Sequence, residues 1–96
     1  MQTFEISKDN HGQIARAYQR GRRAERDYRQ SIAACVLNPY AGRHGMLPEP
    51  IASVRCSKWH AFEAGRSHEL GEYHDAYHLL RSARFCMLRA TVLGRA

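Results

Sequence analysis

Several features that define common protein classes are missing from these 96 residues. No apolar run approaches the ~20 residues that a membrane-spanning helix needs. The three cysteines cannot all pair within one chain, and the first residues lack the basic and apolar segments of a secretory signal. We therefore expect reduced thiols and a cytoplasmic location. A Ser-His-Asp arrangement, a phosphate-binding glycine loop and an HExxH motif are also absent, so we expect no enzymatic activity.

Lysine is scarce, although the chain is basic. Only Lys8 and Lys58 are lysines among 15 basic residues, which face nine acidic residues and give a net charge of +6. Arginine offers a planar fork of donors that matches phosphate oxygens and base edges. This excess favours an anionic partner, RNA or DNA first. The alternative is a basic domain without such a partner, because charge also serves solubility.

Apolar residues at helical spacing predict a first helix over about residues 11–36. Ile14, Tyr18, Gly21 and Tyr28 lie on one face, and arginines fill the other sides. Residues 16–29 contain six arginines against two acids, a surplus that local ion pairing does not neutralise. The predicted contacts to a nucleic acid or another partner are Arg16, Arg20, Arg22, Arg23, Arg26 and Arg29, with Tyr40 and Trp59 as stacking groups.

Prolines and glycines are concentrated in residues 38–50 and predict an irregular loop after the first helix. A second helix is predicted over about 50–70 and a third over about 72–93. Gly71 lies between them and either breaks or bends the helical path. The fold class is therefore a small all-α bundle in a single domain of residues 1–96, with an N-terminal arm over 1–10. The predicted core positions are Ile51, Trp59, Phe62 and Gly65 on the second helix, and Leu79, Ala83, Cys86, Ala90 and Leu93 on the third.

A nine-residue pattern occurs twice, at residues 17–25 and 61–69. Both copies read Ala, aromatic, two free positions, Gly, Arg, two free positions, Glu. An aromatic residue and a glycine three positions apart share a helix face, and glycine inside a helix costs about 0.5–1 kcal/mol relative to alanine. We therefore expect Gly21 to meet the second helix, or Gly65 to meet the first. Glu25 is expected to pair with Arg22 or Arg29 on its own helix.

The motifs also resemble a known family. Tyr18-x-x-Gly21, Asn38-Pro39-Tyr40 and Phe62-x-x-Gly65 occur in the order typical of the ribosome modulation factor family. The resemblance covers about residues 14–66, so residues 11–70 would be the family-like helical core and 71–96 an added C-terminal helix. It implies a cytosolic protein that binds the small ribosomal subunit and promotes inactive, paired ribosomes.

Cysteine and histidine residues also occur at metal-ligand spacing. Cys56 and His60 are four residues apart, as are His74 and His78, so each pair lies on one helix face. Together they could provide four tetrahedral zinc ligands, with His68 and Cys86 as spare candidates. Because such helical pairs often arise by chance, we expect no cofactor and keep zinc as the alternative.

Three functions are compatible with these patterns. The first is an RNA- or ribosome-binding modulator of translation. The second is an effector of a phage or mobile element that inhibits a host protein complex, such as a defence nuclease. The third is a structural module, either zinc-binding or a homodimer formed through an exposed apolar stripe on the third helix.

Overall fold

The computed structural model describes residues 10–29, 37–42 and 47–94, and these residues form three α-helices and no strand. The predicted all-α fold is confirmed. The helices are α1 (Asn10–Arg29), α2 (Ile51–Glu69) and α3 (Tyr73–Gly94). The predicted extension of α1 through residues 30–36, with Ile32 and Cys35, lies outside the described residues, as do residues 1–9 of the predicted arm. No helix in the described ranges is long and apolar enough to cross a membrane.

The middle helix of the structure is α2, which packs against α1 and α3, while these two helices scarcely touch each other. Five alanines in the helix contacts have no exposed surface, and their small side chains allow the helices to approach closely. Phe62 is the largest fully enclosed side chain. The molecule measures 45 × 24 × 20 Å. The fully buried alanines are Ala17, Ala61, Ala64, Ala83 and Ala90.

Gly71 breaks the helical path between α2 and α3. Its φ of +82° lies in the left-handed region that glycine adopts without a steric penalty. The amide of Gly71 donates to the carbonyl of His68, and the amide of Glu72 donates to that of Ser67. These bonds satisfy two of the last four carbonyls of α2. The chain therefore turns sharply, and α3 runs back along α2.

Two predicted core positions are wrong. Ile51, at the first position of α2, is 43% exposed, and Leu93, near the end of α3, is 37% exposed. The buried face of α3 is rotated about the helix axis by roughly 50° from the predicted face. This is the face that packs on α2, which makes almost all of the contacts of α3. Its buried residues are Ala76, Ala83, Met87 and Ala90, whereas Leu79 and Cys86 are half-buried.

Candidate functional site

The crossing of α1 and α2 is formed by the two copies of the repeated pattern. A Cβ atom on Gly21 would overlap the carbonyl group of Phe62, and one on Gly65 would overlap the carbonyl group of Tyr18. Each glycine thus meets the backbone of the aromatic residue in the other copy. The close approach that was expected at one glycine occurs at both, and it makes the crossing reciprocal.

The arginine and the glutamate of each copy also pair with the other copy. Arg22 Nε lies 3.0 Å from Glu69 Oε2, and Arg66 Nε lies 3.2 Å from Glu25 Oε2. Glu25 is only 4% exposed. Its expected partners were on its own helix, but its carboxylate faces α2 and pairs with Arg66. The spacing that the two copies share therefore produces two equivalent ion pairs across one crossing.

The ion pairs shift the pKa of two residues, Glu69 and Arg66. Arg26 Nε donates a second hydrogen bond to Glu69 at 3.1 Å, and the bonds from Arg26 and Arg22 lower the pKa of Glu69. Burial disfavours the charge of Arg66, but the bonds and charges of Glu25 and Glu63 outweigh burial and raise its pKa. Arg22 and Arg26 consequently serve the α1–α2 contact, which reduces their availability to an external anion.

Tyr18 and His68 form a further contact at this crossing. The Tyr18 hydroxyl and His68 Nδ1 are hydrogen-bonded, and the two rings meet edge to face with centroids 5.7 Å apart. Burial raises the pKa of Tyr18, and the carboxylate of Glu69 adds to this effect while Arg22 opposes it. The hydroxyl is therefore neutral at physiological pH and available for the hydrogen bond.

Asn38 docks the turn at residues 38–40 onto α2. Its side-chain amide donates to the carbonyl oxygen of Trp59 at 3.2 Å and to Glu63 Oε1 at 3.0 Å. Its Oδ1 accepts the backbone amide of Tyr40 at 3.0 Å, which closes an Asx turn. The Asn38-Pro39-Tyr40 turn is thus held at one place on α2.

Tyr40 connects this turn to both helices. Its ring meets Phe62 edge to face with centroids 6.2 Å apart, and Arg20 Nη1 donates to its hydroxyl at 2.6 Å. Lys58 Nζ lies 6.0 Å from the centre of the same ring. Two cations from different helices, Arg20 and Lys58, are therefore placed around one half-buried tyrosine.

Arg55 is the third cation at the turn. Its Nη2 donates to the carbonyl oxygens of Pro39 at 3.3 Å and Ala41 at 3.2 Å. Beside it is a groove of about 540 Å³ that is lined by both apolar side chains and cations. The groove is lined by Gln13, Tyr40, Leu47, Ile51, Val54, Arg55 and Lys58.

The predicted binding residues occupy different environments. Arg16, Arg20 and Arg23 are exposed on α1 and line one shallow depression, whereas Arg22 is half-buried. Trp59 is half-buried and lies against His60, with ring centroids 5.1 Å apart. The side chain of Arg29 lies outside the described residues. Sequence reasoning missed Arg55 and Lys58, whose spacing of three places them on one side of α2 beside the turn.

Three of the metal-ligand candidates converge between α2 and α3. The ligand atoms of Cys56, His60 and Cys86 all lie within 4.8 Å of one another. Cys56 Sγ is 3.6 Å from His60 Nδ1, and this nitrogen is 2.8 Å from the carbonyl oxygen of Cys56. Burial, followed by the neighbouring Cys56, raises the pKa of Cys86 to about 11, so its thiol is neutral at physiological pH.

The predicted four-ligand set is not brought together in the described part of the chain. His74 and His78 form an exposed pair at the start of α3, with their Nε2 atoms 3.1 Å apart, and His78 lines the same depression as His60 and Cys86 without belonging to their group. Cys86, expected only as a spare candidate, completes the group with Cys56 and His60 instead. The physical reason is the antiparallel packing of α3, which places the middle of the helix, rather than its start, beside Cys56.

Comparison with known proteins finds no matching family model, no matching curated protein and no matching solved structure.

Proposed function

We propose that this protein is a non-enzymatic RNA-binding modulator of translation whose target is ribosomal RNA. The observation that carries the proposal is the gathering of Arg20, Arg55 and Lys58 around the Asn38-Pro39-Tyr40 turn. These three cations come from two helices that are far apart in sequence. The resemblance of the turn and of the aromatic-x-x-Gly helices to the ribosome modulation factor family supports the same class of ligand.

The proposed RNA-binding surface continues along α1. Arg20 belongs both to the turn and to the exposed row on α1, because it lines the depression that contains Arg16 and Arg23. Arginine and lysine on a continuous surface suit contacts to successive phosphates. The apolar side chains and the Tyr40 ring that line the groove suit contact with an unstacked nucleobase. We call this the turn surface, and it consists of Arg16, Arg20, Arg23, Arg55 and Lys58.

The salt dependence of binding tests this surface. If the five side chains of the turn surface each neutralise one phosphate of a single-stranded segment, the slope of log K against log [salt] is about −3.5. Replacement of Lys58 or Arg23 by Gln should reduce the magnitude of that slope by about 0.7. Fluorescence anisotropy with labelled ribosomal RNA fragments measures the slope. Arg84→Gln, an exposed change on α3, is the matched control and should leave it unchanged.

The identity of the partner requires a second experiment. The protein, used as bait in a bacterial lysate with and without nuclease treatment, should retain ribosomal subunits only in the untreated sample. Nuclease-resistant capture of one host protein, with no salt-dependent binding to ribosomal RNA, would contradict the RNA-binding proposal. That outcome would favour the effector that inhibits a host complex.

A second candidate function is self-association through the outer face of α3. Five large apolar side chains on this side are each 57–67% exposed. Together they offer roughly 500 Å² of apolar surface, judged from typical side-chain areas. A homodimer interface of about 800 Å² per partner that is about 65% apolar needs a similar amount. The α3 outer face consists of Tyr73, Tyr77, Phe85, Leu88 and Val92.

A mass measurement in solution tests this candidate. We expect a dimer whose dissociation is promoted by Leu88→Arg, because a charge at the centre of the face would be desolvated on association. A monomer at every concentration would exclude the homodimer. Ala15→Arg, an exposed change on α1, is the matched control for the added charge.

A further inference from the structure

We propose that Cys56, His60 and Cys86 form a zinc site that ties α2 to α3. The three residues come from two helices and are separated by up to 30 positions in the chain, yet their ligand atoms lie within 4.8 Å of one another. The site is distinct from the turn surface and does not depend on RNA binding.

The distances suit a tetrahedral ion. Zinc binds thiolate sulfur at about 2.3 Å and imidazole nitrogen at about 2.0–2.1 Å, so the sulfur–nitrogen edge of a tetrahedral site measures about 3.5 Å. The distance between Cys56 Sγ and His60 Nδ1 is 3.6 Å. A zinc ion can therefore be bound with small side-chain movements. Binding through Nδ1 replaces the hydrogen bond between this nitrogen and the carbonyl of Cys56.

The packing of α2 and α3 prepares the site before any metal binds. Cys56 and His60 are one helical turn apart and so lie on the same face of α2. Between them is Ser57, which is fully buried and donates a hydrogen bond to the carbonyl oxygen of Ala83 at 2.6 Å. This bond sets the register of α3, and Cys86 follows Ala83 by three residues. The third ligand is thus held opposite the first two.

The donor set selects the kind of metal. Two sulfurs and one imidazole nitrogen are soft or borderline ligands, which favour zinc over magnesium and calcium. Binding converts the two thiols to thiolates, and two protons leave to the solvent. The depression beside His60 and Cys86 is open to solvent and is also lined by His78, so the fourth position of the tetrahedron is accessible to a water molecule. In this arrangement zinc stabilises the contact between the two helices.

Metal titration of the full chain tests the proposal. The protein is purified without a histidine tag, stripped with a chelator and kept with a non-thiol reductant, and zinc is then added in competition with a chromophoric chelator. We expect one equivalent of zinc per chain and a higher melting temperature with zinc. Cobalt in place of zinc should give the intense visible bands of a tetrahedral ion and a thiolate charge-transfer band.

Single substitutions locate the site. Cys56→Ser and Cys86→Ser should each weaken zinc binding by at least about tenfold. Substitution of a residue that only hydrogen-bonds to a metal ligand already produces a loss of that size. His60→Gln is a second test should a serine variant fail to fold, which circular dichroism detects. His74→Gln is the matched control, because it removes an exposed histidine of α3 that does not belong to the group of three ligands and should leave zinc binding unchanged.

Four results would overturn the proposal. The first is the absence of stoichiometric zinc from protein with three titratable thiols. The second is zinc binding that survives Cys86→Ser in a folded variant, and the third is a cobalt complex without the thiolate band. A Cys56–Cys86 disulfide that persists in the reductant would also overturn it, since the thiols would then be unavailable. Loss of RNA binding alone would leave the zinc site unaffected.

Discussion

Two single glycines determine how closely α1 and α2 approach. A side chain at Gly21 or Gly65 meets backbone atoms of the opposite helix, which cannot rotate away as a side chain can. The crossing would have to open, and the contacts of Phe62 and Tyr18 would loosen with it. The residue scale is therefore where the repeated pattern has its strongest effect on the fold.

Replacement of either glycine by alanine should consequently destabilise the protein. We expect Gly21→Ala and Gly65→Ala each to lower the free energy of unfolding by about 2 kcal/mol or more, since overpacking outweighs the ~1 kcal/mol that alanine gains in helix propensity. Chemical denaturation measures the change. Gln19→Ala, on the exposed side of α1, should stay within about 0.5 kcal/mol of the wild type. Equal stability of all three variants would show that the helices do not cross at the glycines.

A buried carboxylate leads to a second prediction at this scale. Glu25 is 4% exposed and pairs with Arg66 at 3.2 Å. Glu25→Gln keeps the shape but removes the charge, and we expect it to lower the free energy of unfolding by about 1–3 kcal/mol. Arg66→Met should lose much of the same energy. A double-mutant cycle measures the coupling, which we expect at about 0.5–3 kcal/mol. A coupling of zero would mean that the two side chains do not interact in solution.

At the scale of the helices, one carboxylate joins two turns of α1 to the end of α2. Glu69 accepts hydrogen bonds from Arg26 and Arg22, and these bonds hold its pKa below its ordinary value of 4.5. A carboxylate with a lowered pKa in the folded state stabilises the fold above its ordinary pKa. This contribution disappears as the pH falls through the lower pKa of the folded protein.

Glu69→Gln should therefore make stability less dependent on pH in the acidic range. We expect the wild type to be more stable than the variant at neutral pH, with the difference shrinking as the pH falls below 4.5. Thermal melts across that range give the difference. Asp27→Asn removes the same charge from an exposed position on α1 and is the control. A difference between wild type and Glu69→Gln that does not change with pH would rule out the proposed role of the ion pairs.

For the whole molecule, the spacing of residues along one helix predicted which side chains face inward. The contacts between helices depend on the register of one helix against another, which the sequence does not show. The inward direction of Tyr18 and Gly21 follows from their spacing, because residues three apart share a helix face. The partner of Arg22 did not follow, since it depends on which turn of α2 meets α1. Cys86 is a similar case. Its approach to Cys56 requires the sharp turn at Gly71, whereas the sequence allowed that glycine either to bend or to break the helix.

The last prediction concerns two surfaces of the molecule, the turn surface on α1 and α2 and the α3 outer face. RNA binding through cations weakens with salt because counterions are no longer released as favourably. Self-association through the α3 outer face should strengthen with salt, since Arg81 and Arg84 lie among its apolar side chains and repel their copies.

Raising the salt concentration should therefore release RNA while increasing the dimer fraction, as measured by anisotropy and light scattering on one sample. Leu88→Arg should remove the dimer and leave the salt slope of RNA binding unchanged. Lys58→Gln should reduce the magnitude of that slope and leave the dimer unchanged. Changes in both properties by either substitution would mean that one surface serves both contacts. In that case the turn surface and the α3 outer face would not have independent functions.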